Sequence, residues 1–95
     1  MFIIDVHYKV SLDIIDQHVT AHRTWLDEKF KDGILLCSGP KEPRTGGVII
    51  ALCNSQDQVE NLIKQDPYYK NGVAKYTVTK FLSNKCHPQI KDLMS

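Results

Sequence analysis

Hydrophobic positions along this chain follow two different spacings, and the switches between them mark its elements. "FIIDVHY", residues 2–8, is dense in β-branched and aromatic types and predicts a first strand. From Ser11 to Gly33 the spacing becomes helical. Ile15, Val19, His22, Leu26 and Phe30 recur at steps of three and four, which is one stripe of a helix. Ser11 is suited to cap its start, and Gly33 stands where a left-handed stop belongs. "ILLCSG" (34–39) and "GVIIALC" (47–53) are short apolar runs that predict strands two and three. Pro43 and the Gly46-Gly47 pair punctuate the loop between them. Ser55 opens a second helix, with Gln58 at capping-box spacing and Val59, Leu62 and Ile63 on its apolar face. That helix is expected to end by Gln65, because a residue before Pro67 is pushed out of the α region. "YYKNG" reads as a turn, and "VAKYTVTKFL" (73–82) alternates as a fourth strand. The tail "SNKCHPQIKDLMS" has no strong period and is expected to be loosely ordered.

The element order β-α-β-β-α-β predicts an α+β fold: a ferredoxin-like sandwich with two helices on one face of an antiparallel four-stranded sheet. Strands two and three are apolar at consecutive positions, so both of their faces favour burial. Helices on one face leave the other in water. The expectation is a homodimer joined through the sheet face, with two-fold symmetry.

Length and charge narrow the function classes. At 95 residues the chain is expected to hold one domain, 1–83, followed by a C-terminal tail, 84–95. A net charge of +1 gives no electrostatic case for nucleic acid. No apolar run approaches the roughly 20 residues of a membrane span, and the N-terminus lacks the pattern of a secretory signal. A cytoplasmic location follows as the default expectation. The three cysteines form no C-x-x-C pair, which argues against a zinc ribbon or a redox dithiol. Cys37 and Cys53 lie in strand-like runs and are expected to be small buried hydrophobes.

Candidate chemistry centres on His22, which falls near the middle of the apolar helical stripe. An imidazole there is either a structural histidine satisfied by one hydrogen bond or a group kept for proton transfer. Asp66 stands before Pro67 and is either a helix cap or a partner for His22. A His-Asp pair would hold one imidazole tautomer, as a general base requires. Ser38 and Gly39 end strand two, where a hydroxyl and backbone N–H groups can meet a ligand. Arg44, in the following loop, is suited to a bidentate carboxylate contact. Each of these three also fits an ordinary loop. His18 and His22 are four apart on a helix, but no nearby acid completes a metal site, so no metal is expected. No motif for a nucleotide or redox cofactor is present, and no cofactor is expected.

"AHRTWLDEKFKDGILLCSGP", "GGVIIALC" and "DPYYKNGVAKYTVTKF", in that order, resemble the YciI-like family, or YCII-related domain, over nearly the whole chain. The resemblance implies a ferredoxin-like fold of the dimeric α+β barrel superfamily. It implies an active-site pair made by His22 and Asp66, with Ser38 as the small polar residue of "SGP". Relatives include a dehydrochlorinase of a chlorinated hydroxyhydroquinone, so the resemblance implies a cofactor-free enzyme. Its acid–base chemistry, of isomerase, lyase or dehalogenase type, would act on a small cyclic or aromatic metabolite. The alternative is a non-catalytic module that binds a small ligand, with a His-Asp pair that only fixes the core.

Overall fold

The computed structural model describes residues 1–94. β1 (Phe2–Tyr8) buries Phe2, Ile4 and Val6 and turns Ile3, Asp5 and His7 to the opposite face, the period-two alternation of a strand. The stretch from Ser11 forms two helices rather than the single one expected. α1 (Leu12–Asp16) ends at Gln17, and α2 (Val19–Lys31) restarts from His18. The break divides a run longer than the strand beside it. A continuous helix of that sequence would run roughly 31 Å at 1.5 Å per residue, whereas seven residues of β1 span roughly 23 Å. Val19 and Leu26 of the expected stripe pack against the core. Trp25 is the buried residue of α2, and Phe30, expected inside, is exposed. Gly33 ends the segment with φ +75°, as its position predicts.

β2 (Leu35–Pro40) and β3 (Gly46–Ala51) follow, then α3 (Gln56–Lys64). The Ser55 hydroxyl accepts from the Gln58 N–H at 3.3 Å, and the Gln58 side chain accepts from the Asn54 N–H at 2.7 Å. α3 buries Val59, Leu62 and Ile63. "YYKNG", expected as a turn, instead contributes to a one-turn helix, α4 (Pro67–Lys70), before β4 (Ala74–Lys80). Proline at the first helical position favours that turn, its missing N–H being one that no helix start satisfies internally.

The sheet order is β2-β3-β1-β4 and every pairing is antiparallel, so the fold is ferredoxin-like α+β. One face carries the core, in which Phe2, Ile4, Ile15, Ala51 and Val59 are fully buried. The other presents half-buried Ile3, Val48 and Ile50 beside exposed His7, Thr77 and Thr79.

β2 contains one irregularity. Leu35 is opposite Ala51, yet Cys37 is opposite Ile50. Two steps along β2 match one along β3, a bulge at Leu36. Simple alternation would place Cys37 on the helix-covered face. The bulge turns it outward to an exposed position and brings Ser38 inward opposite Ile49. Neither cysteine expected to be buried is so: Cys37 is exposed and Cys53 only half-buried.

The tail expected to be loose contains a helix, α5 (Pro88–Met94). The His87 carbonyl accepts from Ile90 and Lys91, and its ring Nδ1 accepts from the Gln89 N–H at 3.2 Å. Local capping outweighs the weak hydrophobic period there. Among the described residues no helix is long and apolar enough to cross a membrane.

Candidate active site

Asp66 is held by the chain break it creates. Pro67 keeps it extended, at φ −68° and ψ 126°, and it becomes the N-cap of α4. Its Oδ1 accepts from the Tyr68 N–H at 3.0 Å. The same oxygen contacts Nδ1 of His22, 44 residues earlier, at 2.8 Å. Oδ2 accepts from the Tyr76 hydroxyl at 2.5 Å. The side chain is wholly buried, and three donors meet the demand of a carboxylate withdrawn from water. Cap and histidine partner, opposed in the sequence reading, are one arrangement.

With a carboxylate accepting at Nδ1, that nitrogen carries the proton, and the neutral ring keeps its lone pair at Nε2. The ring is packed as well as bonded. Tyr68 stacks on it, with centroids 3.9 Å apart and planes within 10°, and Trp25 lies at 5.6 Å. Burial pushes the Tyr68 phenol well above its ordinary pKa, and neighbouring Tyr8 adds to the effect. Burial raises Tyr76 further still, assisted by the charge of Asp66. Both phenols therefore remain protonated donors at neutral pH.

His22 opens onto a cavity of about 150 Å³ between α2 and the β2-β3-β1 part of the sheet, lined also by Tyr8, Ser38, Gly39, Arg44 and Tyr68. Four positions singled out in the sequence, His22, Ser38, Gly39 and Arg44, thus meet at one cavity. Asp66 is not in its wall but behind His22. The bulge at Leu36 is what brings Ser38 to it. Arg44 donates to Asp16 Oδ1 at 2.7 Å, and its guanidinium carbon lies 6.0 Å from the Tyr8 ring centre. Gly46 permits the close approach of β3 to β1: a Cβ there would meet the Val6 carbonyl oxygen at 1.8 Å.

Sequence reasoning missed Tyr68, Tyr76, Tyr8 and Arg23, all of which touch the cavity or the pair. For Tyr76 a signal existed. Alternation along strand four puts Ala74, Tyr76 and Val78 on one face, and the fully buried acid needed a donor from that side. A second cavity of about 310 Å³ lies by α3, where amide side chains such as Asn54, Gln58, Asn61 and Gln65 line it with Lys29 and Cys53. It is larger, but it has no paired acid and base. Among the described residues no three metal-binding side chains converge.

A structure of 5-chloro-2-hydroxyhydroquinone dehydrochlorinase (TftG) from Burkholderia phenoliruptrix AC1100, in complex with 2,5-dihydroxybenzoquinone, is similar to this chain. The TM-score is 0.72 at 20% identity, covering 86% of this chain and 94% of that one. A likeness at that identity is one of fold. No curated protein matches the chain. The sequence model of the YCII-related domain matches residues 1–82. Through that match the chain belongs to the YCII-related domain family.

Proposed function

We propose that the chain is a small acid–base enzyme acting on a cyclic or aromatic metabolite. The observation that carries the proposal is the His22 ring, fixed at Nδ1 by buried Asp66 while Nε2 is left to a cavity that also holds a hydroxyl. His22 is the general base and acid. Asp66 is the positioning residue that sets its tautomer and offsets the charge it gains. In an elimination, Nε2 takes a substrate proton, the electron pair of that broken bond forms a new double bond in the substrate, and the leaving group departs with the pair of its own bond. In an isomerisation the same proton returns at another atom. The Ser38 hydroxyl steadies the oxygen that becomes negative, and Arg44 orients the substrate. The proposal calls on no cofactor. A second copy of the chain would cover Ile3, Val48 and Ile50, giving a homodimer through the sheet face.

Chloride release from chlorinated hydroxyhydroquinones, and deuterium wash-in from D2O into cyclic ketones, test the proposal directly. Wild type is expected to turn over at least one compound of such a panel, and His22→Gln to lose about 10²–10⁴-fold in rate. Equal rates in the two proteins reject the base role. A panel that is bound but never converted favours a ligand-binding module, in which the pair serves the core alone.

A further inference from the structure

We infer that the ligand of this cavity is a planar anion of one ring, and that Arg23, acting with Arg44, selects for its charge. The inference rests on the acid–base reading of the same cavity and names the substrate class. Arg23, on α2, reaches the cavity wall, where neither Asp nor Glu is present. Among the described residues it has no ion-pair or hydrogen-bond partner. Asp27, one turn along α2, forms no ion pair with it, and two other acids near the cavity are already engaged. Asp66 accepts three hydrogen bonds behind the imidazole, and Asp16 holds Arg44.

Arg23 is exposed and has no ion-pair partner among the described residues, so a ligand entering this space meets a solvated guanidinium free to turn toward it. A cation is repelled there, a neutral molecule gains nothing from the charge, and an anion pairs with it. Arg44 adds a second donor fork. Its bond to Asp16 is to a side chain 56% exposed, which returns to water at little loss when a ligand oxygen takes its place.

Size and shape set the rest. A cavity of about 150 Å³ accepts one benzene-sized ring. Its remaining walls include Val6, Leu26 and Ile49, which favour an apolar ring body, while the guanidinium groups favour an oxyanion at its edge. The inferred class is a carboxylate, phenolate or enolate on a single flat ring.

Benzoate and benzamide, nearly equal in shape but different in charge, provide the test by calorimetry or amide-shift titration. Benzoate is expected to bind wild type at least about tenfold more tightly, with the preference falling as salt rises. Arg23→Gln and Arg44→Gln should each reduce that preference, while Asp16→Asn, which releases Arg44, should strengthen it. Equal affinity for the two probes, binding of neither, or a preference untouched by Arg23→Gln overturns the inference. A benzoate preference that depends on Arg23, in a protein that converts no substrate, overturns the acid–base reading and leaves the anion site standing.

Discussion

Tyr76 donates its hydroxyl hydrogen to Oδ2 of Asp66 at 2.5 Å, the carboxylate oxygen that His22 does not use. The aspartate is thereby fixed from both sides: α2 and the α4 turn meet one oxygen, and β4 meets the other. Its orientation, and hence that of the imidazole, is determined by elements far apart in the chain.

Removing the β4 contact exposes what it contributes. Tyr76→Phe leaves Oδ2 buried without a donor, and the expected loss of stability is about 1–3 kcal/mol by urea unfolding. An unchanged midpoint would show that the contact holds nothing in place.

Alkaline pH acts on the same contact. Tyr68 and Tyr76 have raised pKa values in the fold, chiefly through burial. Their contribution is complete below about pH 10, where an unfolded tyrosine also keeps its proton. It is lost as pH climbs from there toward the folded values, because the unfolded chain releases protons first. Stability is therefore expected to fall above about pH 10. Of the four tyrosines, these two should ionise only as the fold is lost. Complete tyrosinate absorbance with native circular dichroism contradicts this.

The His22 tautomer reports on Asp66. In wild type, ¹⁵N NMR should find the neutral ring protonated mainly at Nδ1. Asp66→Asn removes the negative charge that favours that form, so its share should drop. A population identical in both proteins would mean that the carboxylate does not set the tautomer.

Gly46 is a steric prediction. A methyl group there collides with the backbone of Val6, which cannot step aside without parting β1 from β3. Gly46→Ala should cost roughly 1–3 kcal/mol or more. Gly39→Ala meets nothing within 4 Å and serves as the control. Similar melting temperatures for the two variants count against the collision.

The proposed homodimer predicts a mass twice that of the chain in sedimentation equilibrium. Ile50→Glu, on the outer face, should give a folded monomer. A monomeric wild type refutes the sheet-face pairing.

Much of the architecture was legible because each strand and cap is a local feature. Ser55, Gly33 and Pro67 act where they stand. His22 and Asp66 were legible as candidates, from an imidazole in an apolar stripe and an acid at a chain break. Their bond was not, since it depends on how α2 and α4 pack. Only the end of the α2 stripe was misread: Ile15, Val19 and Leu26 pack with the core as expected, while Trp25 is buried and Phe30 is exposed. Ser38 and Cys37 exchanged faces because alternation assumes equal numbers of residues on paired strands. Arg23 carried no periodic signal.

That inequality in β2 means the cavity floor is set by a count as much as by a residue. Without the bulge, Leu36 would pair with Ile50 and Cys37 with Ile49, carrying the thiol of Cys37 into the interior and the hydroxyl of Ser38 to the outer surface. Within this scaffold, an alcohol and a thiol are one step of register apart, with no side chain replaced.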